Sequence, residues 1–190
     1  MTPAEKKDRR LAAREARIVE SARALAEADG WDAVTTRRLA DSIEYSQPVL
    51  YGHFPEGKSQ IVTAVALVGF GELAVALADG TDTRGAARLR ALVTSYLAFA
   101  ERHPATYEAM FRLPIGARFA SADTPPELSA GFTAIVDALA TLDAPPSDLG
   151  TAAEVLWGAM HGLATLTRSG RFRPEHHQRR IDELVRTFTN

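Results

Sequence analysis

The sequence predicts an all-α fold. Three observations carry that expectation. Apolar residues recur at steps of three, four and seven through most of the chain, the spacing that gathers them on one side of a helix. No segment alternates apolar and polar residues with the period of two that a half-buried strand requires. Alanine, which loses least on entering a helix, is abundant, and Gly and Pro punctuate the chain into about nine segments.

The first helix is expected over about residues 4–29, with Leu11, Ile18, Ala22 and Leu25 as its apolar stripe and Gly30 as a left-handed stop. Thr35 is a natural N-cap for a short second helix, 36–43, whose inner face is Leu39, Ala40 and Ile43. "EYS" makes a turn, and Ser46 caps a third helix, 47–53, with Pro48 in the first turn where its missing N–H does no harm. Val49, Leu50 and Phe54 face inward. "PEGK" breaks the chain before a long fourth helix, 57–79, and "DGTDTRG" separates that from a fifth, 84–102. A sixth begins around Pro104. "LPIGARFASADTPPE" is the longest irregular stretch, with room for a helical turn. The seventh, eighth and ninth helices are expected at 126–142, 148–169 and 174–188.

Composition narrows the function. At 190 residues and 46% hydrophobic content the chain can form one large domain or two small ones. It has no cysteine, which excludes disulfides and thiolate metal sites and fits a reducing cytoplasm, the expected location. No uninterrupted apolar run of about 18 residues occurs and the N-terminus has no apolar leader, so no membrane partner is expected. The net charge is −2, but residues 1–18 hold Lys6, Lys7, Arg9, Arg10, Arg14 and Arg17 against Glu5, Asp8 and Glu15. Residues 1–60 balance to zero, so any nucleic-acid binding rests on placed contacts more than on a broad positive field.

Two short helices joined by a tight turn and braced by a longer one form a helix-turn-helix. Such a motif lays its second helix in the DNA major groove, so that helix must have a polar, compact outer face. Here Ser46, Gln47 and Tyr51 lie on it. Gln can bond bidentately to adenine, and Ser tolerates several bases. Tyr51 and His53 suit phosphate better than base edges. Thr35 and Thr36, beside Arg37 and Arg38, open the bracing helix, where hydroxyls, free N–H groups and guanidinium forks can hold a phosphate. Pro48 belongs to the same surface, and Lys58 is placed for the other flanking phosphate.

At these residues the chain resembles the tetracycline-repressor (TetR) family of bacterial transcription regulators. That signature runs Thr, three residues, Ile-Ala, two residues, Ala-Gly-Val-Ser, then Leu-Tyr-x-His-Phe and a Lys. This sequence has Thr35, Leu39-Ala40, Ile43-Glu44-Tyr45-Ser46, "LYGHF" at 50–54 and Lys58. The likeness is strong over about residues 15–65. One departure is Glu44 in place of the turn glycine, which demands a backbone that non-glycine residues avoid or a shifted turn. The resemblance implies a helix-turn-helix DNA-binding domain over 1–58 and a helical ligand-binding and dimerisation domain over 59–190.

The second part adds its own signals. On the seventh helix Leu128, Phe132, Ile135, Leu139 and Leu142 form a stripe, and Ala130, Ala134 and Ala138 a small-residue face. The eighth helix is apolar on more than one side, with Leu156, Ala159, Leu163 and Leu166 on one and Trp157, Met160 and Ala164 on another. A helix apolar nearly all round is buried or lies between subunits. Phe132, Ile135, Leu139, Leu156 and Leu163 are therefore candidates for a homodimer contact, which a two-fold operator requires. "LWGAMHGLATL" also resembles a C-terminal ligand-domain type of the family, marked by a Trp and a later His-Gly. Tyr96, Phe99, Tyr107, Met110, Phe111, Trp157, Met160 and His161 are the candidate lining of an apolar pocket for a small-molecule effector.

No enzyme is expected. The five histidines show no metal-ligand spacing, and there is no phosphate loop, nucleophile elbow or cysteine. No metal or cofactor is expected either. The expected function is that of a sequence-specific DNA-binding transcriptional regulator, a homodimeric repressor released from its operator by a ligand. The alternatives are a ligand-dependent activator and a structural DNA-coating protein without effector.

Overall fold

A computed structural model describes residues 2–79, 83–113 and 126–189. Among them are nine α-helices, two short 3-10 turns and no strand. The chain divides into two compact units, Met1–Gly69 with His103–Arg118, and Phe70–Arg102 with Phe119–Asn190.

The first unit contains α1 (Pro3–Asp29), a 3-10 turn (Trp31–Ala33), α2 (Thr36–Ile43), α3 (Gln47–His53), the first half of α4 (Lys58–Ala78) and α6 (Pro104–Phe111). Thr2 opens α1 through a capping box with Glu5. The buried face of α1 is Ile18, Ala22 and Ala26, spaced four apart. Leu11, expected on that stripe, is 38% exposed because the helix has run beyond its neighbours there. Gly30 ends α1 at φ 79°, ψ 164°, a positive-φ extended region open essentially to glycine alone, and not the left-handed helical stop expected. Its N–H donates to Ala26 O at 2.8 Å. Leu39, Ala40 and Ile43 of α2 and Leu50 of α3 are buried with Phe54, Ile61 and Val65, as the helical spacing predicts.

Helix α6 is fastened into the same unit by α1. Trp31 Nε1 donates to Ala105 O at 2.7 Å. Glu27 takes the N-terminus of α6: Ala105 N–H donates to Oε2 at 2.9 Å, and Thr106 donates to Oε1 through its N–H at 2.9 Å and its hydroxyl at 2.7 Å. Gly69 of α4 lets that helix approach, since a Cβ there would lie 2.6 Å from Thr106 Cγ2 and 2.8 Å from Met110 Sδ.

The second unit holds the rest of α4, then α5 (Gly85–Arg102), α7 (Pro126–Ala140), α8 (Leu149–Arg168), a 3-10 turn (Pro174–His176) and α9 (His177–Thr189). The buried Arg88 of α5 closes the end of α4, donating to Leu77 O and Asp79 O at 2.7 and 2.6 Å, where a cation meets the negative end of the helix. Asp148 caps α8 through Thr151, whose hydrogen bonds hold that carboxyl below its usual range. Arg90 of α5 pairs with Asp182 of α9.

Two sequence expectations meet the bounds of the description. Residues 80–82 of "DGTDTRG" and 114–125 of the long irregular stretch lie outside the described residues. Helix α4 is long and apolar enough, by length and composition alone, to cross a membrane. Glu72 interrupts it, and Ile61, Val62, Val65, Ala66, Phe70, Leu73 and Leu77 are buried among protein neighbours, as in a core helix.

Candidate nucleic-acid interface

The α2–α3 pair is built on α1. Thr35 Oγ1 accepts from the Arg38 N–H at 3.1 Å and so caps α2. The Arg38 guanidinium pairs with Asp29 at the end of α1, whereas Arg37 is exposed and has no partner among the described residues. The turn is made by Glu44 at φ 58°, ψ 35°, the one positive-φ residue other than glycine among those described. It occupies the left-handed conformation where the resemblance places glycine. The chain tolerates it because Ala40 O accepts from both Glu44 and Tyr45 N–H groups, the latter at 3.0 Å, which closes the end of α2. The Tyr45 ring receives the Arg17 guanidinium of α1, 5.4 Å above its centroid.

Leu50 and Phe54 seat α3 in the core, 1% and 6% exposed, and the opposite side is open. Ser46, Gln47, Pro48 and Tyr51 are exposed, so the structure brings these four predicted contacts onto one surface. Ser46 stands at the N-cap position, but its hydroxyl makes no capping bond, contrary to the sequence expectation. The Tyr51 ring extends over Gly57, lying 3.3 Å from where a Cβ there would stand, with Thr36 Cγ2 at 4.0 Å on the same spot. Gly57 itself adopts φ 64° and donates to Phe54 O at 2.8 Å.

His53 and Lys58 are engaged within the protein. The His53 side chain is 7% exposed, and its Nδ1 is 3.2 Å from Glu15 Oε1 of α1. Lys58 Nζ donates to Trp31 O, leaving its other two protons available. Sequence reasoning missed Glu15, Arg17, Asp29 and Gly57 as the groups that set these side chains. Only Gly57 carried a signal, as the glycine of a breaker segment that calls for positive φ.

The comparisons with known proteins agree with this geometry. Residues 18–65 match the family described as bacterial regulatory proteins, tetR family, and residues 89–188 match the tetracyclin repressor-like C-terminal domain. The chain belongs to the tetR family. It is a helix-turn-helix transcriptional regulator of that family. An uncharacterised HTH-type transcriptional regulator of Mycobacterium tuberculosis is 28% identical over 161 residues, covering 80% of this chain and 69% of the relative. A protein of unknown function from Rhodococcus sp. RHA1 superposes with a TM-score of 0.71 at 25% identity, over 93% of this chain and 95% of that one. A TetR variant from Acinetobacter baumannii AYE, solved in complex with minocycline, superposes with a TM-score of 0.64 at 17% identity, over 90% and 93% of the two chains, which shows a shared fold.

The residues that this TetR-family chain offered as pocket lining separate between the units. Tyr96, Phe99, Trp157, Met160 and His161 are in the second, and Tyr107, Met110 and Phe111 in the first. In the second unit Trp157 Nε1 donates to Tyr96 Oη at 3.2 Å, and Phe132 meets the Trp157 ring edge-on at 6.3 Å. Burial pushes the His161 imidazole below its ordinary pKa. In the first, the Tyr107 and Phe111 rings stand 4.7 Å apart. Of the residues offered as dimer contacts, Ile135, Leu139 and Leu156 are at most 2% exposed within the single chain and leave a partner almost nothing to touch. Leu163 instead lines an open groove with Ala159, Gly162 and Leu166 of α8 and Leu184 of α9.

Proposed function

We propose that this TetR-family regulator is a homodimeric repressor that leaves its operator when a small molecule binds its helical C-terminal region. The observation that carries the reading is the division of labour on α3: Leu50 and Phe54 anchor it, while Ser46, Gln47 and Tyr51 point away from the core. Ser46 and Gln47 read base edges in the major groove, and Thr36, Arg37, Tyr51 and Lys58 take the flanking phosphates. Residues 1–58 act as the DNA-binding domain and 59–190 as the effector and dimerisation domain.

The partner in the dimer is a second copy docked on the α8–α9 groove. Ala159 and Gly162 of the groove are small enough for close helix approach, Leu163, Leu166 and Leu184 supply apolar area, and Val155, one turn before Ala159 on α8, is 59% exposed. Arg180 stands in the same groove, its guanidinium held within the chain by Arg173 O at 2.9 Å and over the Phe172 ring. The effector sits against Tyr96, Trp157 and His161, where an uncharged imidazole can donate to or accept from a polar group in an apolar setting. By linkage, DNA weakens effector binding by the factor with which effector weakens DNA binding.

The deciding experiment selects fragments of the source genome on the purified protein and measures their retention against excess unrelated DNA. Retention of a common two-fold sequence by a species that sediments as a dimer supports the reading. Binding lost to competitor, or a monomer that binds alone, overturns it. Leu163→Glu is expected to yield monomers with weak operator binding.

A further inference from the structure

We infer that the first four turns of α1 form a second DNA-contacting element, an arm that binds backbone phosphates flanking the half-site held by α3. This rests on the proposed operator binding. No residue from Thr2 to Arg17 is buried, and Ile18 is the first that is. Residues 3–17 therefore project as a solvated helix about 22 Å long at 1.5 Å per residue. A solvated helical stretch of this length is marginal by itself. It is sustained by the Thr2–Glu5 capping box at one end and by the packed continuation from Ile18 at the other.

The charges on the arm are arranged, not scattered. Lys6, Arg10, Arg14 and Arg17 are spaced four, four and three apart, which places them on one side within an arc of about 80°. Like charges at i, i+4 oppose helix formation, so such a stripe is unfavourable until it meets an anion. The acidic residues do not neutralise it: Glu5 is engaged with Thr2, Glu15 with His53, and Asp8 stands about 160° round the helix from Lys6, on the side away from the stripe. Among the described residues Lys6, Lys7, Arg9, Arg10 and Arg14 form no ion pair.

The stripe is continuous with the helix-turn-helix. Its inner end, Arg17, lies on Tyr45, the residue before the N-cap of α3. From there it runs outward for about 16 Å, and a duplex carries one phosphate charge per about 1.7 Å of its axis, so backbone phosphates lie within reach along that length. A duplex seated on α3 extends beyond its half-site in both directions, and its flank is the polyanion this stripe fits.

The test uses the full chain carrying Lys6→Gln, Arg10→Gln and Arg14→Gln together, since Gln keeps helix propensity and Arg17 stays on Tyr45. Binding is read by anisotropy on the selected operator with flanks of about one helical turn, about 10 base pairs, and on the same operator trimmed of them, across a salt series. Circular dichroism verifies that the helix remains. The expected result is a salt slope smaller by about 3 per protomer, affinity for the flanked duplex reduced about tenfold or more at 0.1 M salt, and an unchanged preference for operator over unrelated DNA. Trimming the flanks weakens the parent protein and leaves the triple variant as it was. An unchanged salt slope in the variant, with the parent bound normally, overturns the arm alone. Loss of binding to anionic vesicles with DNA binding unaltered also overturns it, by assigning the arm to a membrane surface. A parent that retains no operator overturns both this inference and the reading beneath it.

Discussion

Glu27 holds Thr106 twice through a single carboxylate oxygen, from the main-chain N–H at 2.9 Å and from the hydroxyl at 2.7 Å. With the Ala105 N–H on the other oxygen, one side chain of α1 satisfies two of the orphan donors that begin α6 and sets a negative charge at its positive end. His103, at the N-cap position of α6, makes no side-chain capping bond, so Glu27 does the capping from a distance in sequence. A rigid link of this kind makes α1, the helix that braces the recognition turn, sensitive to any displacement of α6.

Removing that link is expected to be costly. Glu27→Ala leaves the N–H groups of Ala105 and Thr106 without their charged acceptor, a loss of about 2–4 kcal/mol in urea unfolding given the strength of charge-assisted bonds. Thr106→Val removes the hydroxyl bond alone and is expected to cost about 1 kcal/mol. The two changes overlap, so the double variant should be less unstable than their sum. Strict additivity would show that the hydroxyl and the carboxylate act independently.

Glu44 holds a left-handed backbone that costs a residue with a Cβ about 1 kcal/mol more than glycine. Glu44→Gly is expected to raise stability by about that amount, within about 0.5 kcal/mol, and to strengthen operator binding by removing a carboxylate next to α3. Glu44→Val is expected to destabilise, because a β-branched residue is a genuine outlier at φ 58°. Thermal unfolding and DNA titration of the two variants check this, and Gly and Val proteins of equal stability would refute the strain at this turn.

The helical periods of the sequence contain most of the fold but little of its wiring. Caps and breakers placed α2 and α3 at their observed limits, since Thr35, Pro48 and the apolar triplet Leu39, Ala40, Ile43 act within one or two turns. Leu11 failed as a core residue because periodicity tells which side a residue is on and not where the neighbouring helix stops. The Glu27 bonds cross 78 and 79 residues of chain, and nothing in local spacing announces them. At the interface, exposure of Gln47 and Tyr51 was legible from their polarity beside Leu50. The inward turn of His53 was not, because it depends on Glu15, whose charge reads as an ordinary solvated one.

Gly57 and Tyr51 form a testable pair. Gly57→Ala combines an unfavourable positive φ with a methyl 3.3 Å from Cε1 of Tyr51, so the ring must give way. Operator affinity is expected to fall by less than about tenfold, since a ring shifted by a few tenths of an ångström weakens its contact and does not remove it. Tyr51→Ala, which removes the contact outright, should lower it about tenfold, or about 1.4 kcal/mol, and leave the proposed dimer intact, since the residue is 47% exposed. Adding Gly57→Ala to Tyr51→Ala should then change DNA binding little, because the residue being displaced is gone. A full second loss in the double variant would place the effect of Gly57 in the turn itself.

His161 provides a pH signature for the proposed effector region. Burial lowers its folded pKa beneath the unfolded value of 6.5, so the folded protein refuses a proton that the unfolded chain accepts. The sign follows: its contribution to stability is full above pH 6.5 and is lost as pH falls from there through the lower folded value. The urea midpoint of the parent should drop across that window more steeply than that of His161→Gln, which lacks the buried imidazole. An effector that presents an acceptor to the imidazole would favour the protonated form, lift this pKa and flatten the difference. Parent and variant curves that run parallel through the window, with and without effector, would remove His161 from both roles.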